Sequence, residues 1–138
     1  MERIVVGVDG SEGAGDALLW ALDEARRRGA TVEAVHVWHP PFVLGYESLG
    51  EIHGDWEAIA QKLLDEAVEC VEFVGIPVER KLVAGRAAEA LIETAKGAAM
   101  LVVGTRGRGG FTGLLLGSVS QQVAHHAPCP VVIVPPSV

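Results

Sequence analysis

The stretch VVGTRGRGGFTGLLLGSVSQQV, residues 102–123, leads from an apolar, strand-like run into a helix-like run. It contains six glycines, at positions 104, 107, 109, 110, 113 and 117. Glycine loses more backbone entropy on folding than any other residue. So many glycines between two regular elements indicate that the backbone has a specific task at this point.

The same succession of strand and helix runs through the whole chain. Predicted strands cover residues 3–9, 31–38, 77–85, 99–104 and 130–135, and predicted helices cover about 13–28, 55–74, 87–96 and 117–127. Such alternation is typical of parallel strands joined by right-handed crossovers, and the apolar first and fourth strands fit a sheet covered on both faces. The sequence therefore predicts an α/β fold: a single doubly wound, Rossmann-like domain over residues 1–138, with a five-stranded parallel sheet and the third strand at an edge.

The connection at residues 39–52, opened by Pro40 and Pro41, is longer than most loops. Loops of this length are often lids, interfaces or mobile segments. We expect it to cover part of a ligand site or a subunit contact, and the sequence does not decide between the two.

Charge is distributed unevenly along the chain. The net charge is −7, but all eighteen acidic residues lie between Glu2 and Glu93, whereas the last forty-five residues carry only Lys96, Arg106 and Arg108. An acidic body argues against nucleic acid or an anionic membrane as the main partner. A cationic, glycine-rich end favours a small anion instead.

The apolar runs and the two cysteines of the chain bear on its cellular compartment. No stretch approaches the ~20 apolar residues of a membrane span, and Asp9 interrupts the first apolar run too early for a signal peptide. Cys70 and Cys129 lack metal-type spacing. We therefore expect a reduced cytoplasmic protein with two buried thiols.

The glycine segment lies where a doubly wound sheet binds ligands, beyond the carboxyl end of a strand and before a helix. Glycines let the backbone approach a ligand closely, and a helix N-terminus offers free N–H groups and partial positive charge to a phosphate. Ser118, Arg106 and Arg108 add a hydroxyl and two cations. The alternative is an ordinary surface loop with Ser118 as the helix N-cap. Neither a P-loop nor a dinucleotide-binding GxGxxG motif is present.

One longer spacing does match a known pattern. Gly104, Gly107, Gly117 and Ser118 follow G-x2-G-x9-G-[ST], and RIVVGVDGS, VHVW and APCPVVIVP occur at the matching strands. Over essentially its entire length the chain resembles the ATP-binding branch of the universal stress protein family. Met100 departs from that family's frequent acidic residue before the fourth strand, and we expect this to affect the strand's entry end and not a ligand.

The resemblance implies an adenine nucleotide and assigns roles by position. Asp9 matches the acidic residue near adenosine, and Val37 matches the position whose backbone meets adenine. Gly104 and Gly107, with Arg106 between them, would border the ribose and phosphates. Gly117, Ser118 and Val119 would hold the phosphate chain. Without the resemblance, Asp9 can also be interpreted as a turn residue, and Val37 is interpreted as a core valine.

The predicted site is better suited to holding ATP than to cleaving it, because it offers no lysine and no general base. We therefore expect a nucleotide-dependent sensor or regulator of stress with little or no hydrolysis and no catalytic residue. Mg²⁺ or Mn²⁺ would be held through the phosphates, since the histidines show no ligand spacing. The resemblance also implies a homodimer through residues 131–135. A weak ATPase or phosphotransferase, and an interaction module that binds no nucleotide, are the alternatives.

Overall fold

The computed structural model describes residues 1–39, 49–105 and 116–136, with the side chains of residues 49–55 and 73 left out. Its centre is one parallel sheet of five strands: β1 (Arg3–Gly7), β2 (Thr31–Trp38), β3 (Val78–Ala84), β4 (Met100–Gly104) and β5 (Val131–Val134). The strand order is β3-β2-β1-β4-β5. This confirms the predicted fold and the edge position of β3, and it places the reversal of strand order between β1 and β4.

Four helices connect the strands: α1 (Glu12–Arg28), α2 (Leu49–Glu69), α3 (Ala87–Thr94) and α4 (Ser118–His126). α1 begins where predicted because the Ser11 hydroxyl accepts a hydrogen bond from the Ala14 N–H. It ends at Gly29, whose φ of 69° is the left-handed conformation that a C-terminal glycine adopts at little cost.

The bounds of α2 differ most from the prediction, and β1 also ends two residues earlier than predicted, at Gly7. α2 begins at Leu49, six residues before the predicted start, so the long connection is shorter than residues 39–52. α2 also ends at Glu69, and a separate 3₁₀ turn covers Glu72–Val74. The prediction placed the helix start where the regular spacing of apolar residues begins, after residue 55. A helix can extend beyond the stripe of residues that faces the core, so its first turns were not predicted.

The helices pack on both faces of the sheet, as a doubly wound fold requires. One core cluster joins α1 and α2 to Ile4, Val6, Val32, Ala34 and Val102. The other joins α3 and α4 to Val5, Val35, Leu101 and Val103. Successive strand residues point to opposite faces, so alternate apolar residues of each central strand enter different clusters.

The amino ends of the strands are held together by Arg3. Its guanidinium donates to Glu33 Oε1 at 3.1 Å, to the Thr94 carbonyl at 3.0 Å and to the Lys96 carbonyl at 2.8 Å. Glu33 is buried, with 8% of its surface exposed. This one side chain therefore joins β1, β2 and the end of α3.

The cysteines correct one expectation. Both are free thiols, but Cys70 is exposed and only Cys129 is partly buried. Burial raises the pKa of the Cys129 thiol, opposed in part by the charge of Arg3. Cys70 follows the last turn of α2, beyond the buried stripe of that helix.

Candidate functional site

Three of the sequence-predicted residues lie at or just beyond the carboxyl ends of three neighbouring strands. Gly7, the last residue of β1, pairs with Val35, so Val37 lies two residues further along β2 and Asp9 lies two residues beyond β1. Val6 pairs with Val102, and Gly104, the last residue of β4, lies two residues beyond that pair. The strand order makes β2, β1 and β4 adjacent and reverses between β1 and β4. The three residues therefore belong to the edge of the sheet where ligands bind in such folds.

Asp9 lies two residues beyond the end of β1 and shapes the turn into α1. Its Oδ1 accepts hydrogen bonds from the Ser11 N–H at 2.9 Å and from the Ser11 hydroxyl at 2.6 Å. The same hydroxyl caps α1 by accepting from the Ala14 N–H at 3.2 Å. Asp9 is thus the turn residue that the DGS sequence predicts, and it also orients the cap of the following helix.

Gly104 is required by a close approach of two backbones. A Cβ at this position would lie 3.1 Å from both the carbonyl carbon and the carbonyl oxygen of Gly13. Backbone atoms at that distance cannot move aside as a flexible side chain can, so the contact keeps β4 close to the first turn of α1. The sequence assigned Gly104 to a ligand and did not predict its contact with Gly13, because the two glycines, at the end of β4 and in the first turn of α1, are far apart along the chain.

The end of β4 is hydrogen-bonded to the start of α4. The Thr105 carbonyl accepts from the Gly117 N–H at 2.6 Å and from the Ser120 hydroxyl at 2.8 Å. Ser120 is buried, with 3% of its surface exposed. The two ends of the glycine segment therefore meet at Thr105, which places the N-terminus of α4 beside Gly104.

The start of α4 shows that Ser118 is not the N-cap of this helix, as the alternative interpretation had it. The N-cap is Gly117, which has an extended backbone and makes no side-chain capping bond, and Ser118 is the first helical residue. Ser118 is exposed, whereas Val119 is half-buried against the α3–α4 cluster. Arg106 and Gly107, the remaining predicted site residues, lie outside the described residues. Ser120 was missed, although a serine three residues after a helix-starting glycine is a recognisable signal.

His36 adds a link that periodicity did not reveal. Its Nδ1 lies 2.7 Å from the Val8 carbonyl, which can only accept, so Nδ1 carries the proton. The Val8 N–H donates in turn to the Val35 carbonyl at 2.8 Å. β2 therefore continues to hold the chain one residue past the end of β1, and the turn carrying Asp9 starts from a fixed point.

Within residues 1–39, 49–105 and 116–136, no group of three or more His, Cys, Asp or Glu side chains is arranged to hold a metal ion. No helix in the same ranges is both long and apolar enough to cross a membrane.

Comparison with known proteins gives the family. The sequence profile of the universal stress protein family matches residues 1–135. A universal stress protein of Mycolicibacterium smegmatis is 39% identical over 135 residues, which are 96% of this chain and 45% of the relative. The chain thus spans less than half the length of that curated relative.

Three solved structures are similar over nearly the whole chain. Universal stress protein UspA from Lactobacillus plantarum has a TM-score of 0.86 at 23% identity, covering 96% of this chain and 97% of its own, and supports the fold alone. A universal stress protein solved in complex with cAMP has a TM-score of 0.71 at 29% identity, covering 99% and 98%. One from Archaeoglobus fulgidus in complex with dAMP has a TM-score of 0.68 at 25% identity, covering 96% and 97%.

The profile match, the identity to the relative and the shared fold agree with the glycine spacing and with the strand order around it. The chain belongs to the universal stress protein family.

Proposed function

We propose that this chain binds an adenine nucleotide at the carboxyl edge of β2, β1 and β4 and acts as a nucleotide-dependent sensor or regulator in the stress response. The observation that carries the proposal is that the carboxyl ends of β2, β1 and β4 lie side by side where the strand order reverses, with the start of α4 hydrogen-bonded to Thr105 just after β4. The complexes of two family members with cAMP and dAMP support the class of ligand.

The family resemblance gives each residue a proposed role. Asp9 is on the adenosine side, and the backbone of Val37 on β2 meets the adenine. Gly104, against which the Gly13 backbone packs, borders the ribose and phosphates together with Arg106 and Gly107, which are assigned from their sequence positions. Ser118 and Val119 offer the first N–H groups of α4 and one hydroxyl to the phosphates, beside Gly117, whose own N–H bonds to Thr105.

The proposed activity is binding with little or no hydrolysis. Cleavage of a γ-phosphate needs charge neutralisation and a positioned water. Asp9 is a poor candidate for a general base, because its carboxylate already accepts two hydrogen bonds from Ser11. Mg²⁺ or Mn²⁺ would enter with ATP and be held through its phosphates, as such ions often keep several waters.

The proposal extends to assembly and compartment. We infer a single domain over residues 1–138, a cytoplasmic location and a homodimer through residues 131–135. β5 lies at an edge of the sheet and consists of four apolar residues with half-buried side chains. An apolar edge strand of this kind is suited to pairing with a second copy.

The test is calorimetric titration of nucleotide-stripped protein with ATP, AMP and cAMP, with and without Mg²⁺. We expect wild-type affinity in the micromolar range. Gly117→Val should abolish binding by placing a side chain at the start of α4, and Ser118→Ala should weaken ATP more than cAMP. Gly15→Ala is the matched control, because a Cβ at Gly15 meets nothing within 4 Å.

The two alternative functions, a weak enzyme and an interaction module, predict different results. Phosphate release that Asp9→Asn abolishes would favour a weak ATPase or phosphotransferase over a pure binding protein. Absence of binding in the wild type, or wild-type binding by Gly117→Val, would refute the proposed site and favour an interaction module.

A further inference from the structure

A groove separates α1 and α2 on one face of the sheet. Both helices run from the carboxyl edge toward the amino edge, because each connects two parallel strands. The groove between them has a volume of about 800 Å³. Its apolar lining comes from both helices and from the end of β1: Val8, Ala14, Leu63, Ala67 and Val71.

Two large aliphatic side chains of the groove face solvent. Leu19 of α1 is 40% exposed and Ile59 of α2 is 55% exposed. A single exposed leucine or isoleucine is ordinary. One from each helix, joined by an apolar lining, forms a continuous patch of the kind that marks an interaction site.

The rim of the groove is acidic. Glu12, Asp16 and Glu66 contribute three carboxylates, whereas Lys62 is the single cation among the described lining residues. The Lys62 amine lies 3.9 Å from Glu66, in an exposed pair that leaves the rim with a net charge of −2. Such a rim attracts a basic partner and repels an acidic one.

The length of the groove fits a short helix. Its lining on α2 extends from Ile59 to Ala67 and continues past the helix to Val71, and a rise of about 1.5 Å per residue makes the part on α2 about 12 Å long. A helix in a groove is anchored by apolar residues at i, i+3 or i+4, and i+7. These anchors span about 10.5 Å along a helix, so the groove is long enough for all three on one face.

We propose that this groove is the docking site for a basic amphipathic helix of a partner protein, about twelve residues long. The apolar face of that helix covers Leu19, Ile59 and Leu63. Its lysines or arginines lie against Glu12, Asp16 and Glu66. The proposal does not depend on nucleotide binding, since all of these side chains lie on α1 and α2.

The test uses nucleotide-free full chain and three synthetic twelve-residue peptides. The first carries leucines at i, i+4 and i+7 with lysines elsewhere, the second scrambles the same composition, and the third replaces lysine with glutamate. Calorimetry measures affinity. A fluorophore on exposed Cys70, which lines the groove, reports location in a Cys129→Ser background.

We expect the first peptide to bind with micromolar affinity and to change the fluorescence at Cys70. Ile59→Asp should weaken it about tenfold or more, equivalent to about 1.4 kcal/mol. Glu66→Lys should weaken it severalfold at low salt, while Glu57→Lys, an equal charge change at an exposed residue of α2 outside the groove lining, should stay within about twofold.

Three results would overturn the proposal. Equal affinity for the scrambled peptide would show attraction to net charge alone. Binding unaffected by Ile59→Asp would place the peptide elsewhere. If sedimentation shows a dimer that Ile59→Asp dissociates, and the peptide does not bind, the groove is covered by a second copy.

Discussion

The two edges of the sheet are held by different chemistry. At the amino edge, the long side chain of Arg3 reaches Glu33 and two backbone carbonyls. At the carboxyl edge, the contacts include those between Gly104 and Gly13, between Thr105 and Gly117, between His36 and Val8, and within the Asp9–Ser11 turn. Most of these contacts are made by backbone groups and small side chains, whereas the amino edge depends on one long guanidinium side chain. Four substitutions test this comparison.

The largest loss is expected at the amino edge. Arg3→Ala leaves Glu33 buried without its cation and removes two further hydrogen bonds, so we expect the free energy of unfolding to fall by about 3 kcal/mol. Urea denaturation measures it. Arg26→Ala, which breaks an exposed pair with Asp23, is the control and should cost less than about 0.5 kcal/mol. Similar losses in the two variants would mean that Arg3 does not hold this edge.

The next largest loss is expected where two backbones touch. Gly104→Ala places a Cβ 3.1 Å from the Gly13 carbonyl group, so α1 and β4 must separate. We expect a loss of about 2 kcal/mol in the free energy of unfolding, together with weaker binding of ATP. Parallel urea denaturation and ATP titration measure both. Unchanged stability would show that the approach of Gly13 can relax freely.

A smaller loss is expected at the start of α4. Ser120→Ala removes the buried hydroxyl that donates to the Thr105 carbonyl, while the Gly117 N–H still bonds to it, so we expect a loss of about 1 kcal/mol. Ser118→Ala, at an exposed neighbour, should change the free energy of unfolding by less than about 0.5 kcal/mol. A reversed order, measured by thermal and urea unfolding, would contradict the assignment of Ser120 as the residue that fixes this helix.

The smallest effect is a gain. Gly15→Ala adds a methyl group that meets nothing within 4 Å, inside α1, where alanine is favoured over glycine. We expect the free energy of unfolding to rise by about 0.5–1 kcal/mol. A Gly15→Ala variant less stable than the wild type would contradict this expectation. It would show that the contacts of the added Cβ do not decide whether alanine is tolerated at Gly15 and at Gly104.

Much of the fold was predictable because its signals are local. The apolar runs of β1, β4 and β5, the alternating run of β2 and the mixed run of β3 predict the five strands, and Gly29 predicts the end of α1. The start of α2 was predicted wrongly, because turns that precede the apolar stripe carry no such periodicity. The burial of Cys70 was also predicted wrongly, since Cys70 follows the last turn of α2 and its exposure depends on how the chain packs after that helix.

The features of the candidate site also fall into those that the local sequence predicts and those that depend on contacts between distant residues. The turn at Asp9 and the helix start at Gly117 were predictable because turns and helix starts select particular residue types locally. The contact of Gly104 with Gly13, the bond from His36 to Val8 and the bond from Ser120 to Thr105 were not. Each joins segments 15 or more residues apart, or depends on how a loop closes, and the spacing of residues along one chain does not specify such distances.

By itself, the sequence determined the alternation of strands and helices, the family resemblance and the glycine-rich entry to α4, because periodicity, backbone freedom and capping act within a few residues. Only the tertiary structure decided that Gly104 and Gly13 touch at the carboxyl edge, that Arg3 holds the opposite edge, and that an acidic groove lies between α1 and α2. These features depend on which distant segments the sheet brings into contact, and that follows from the packing of the whole chain.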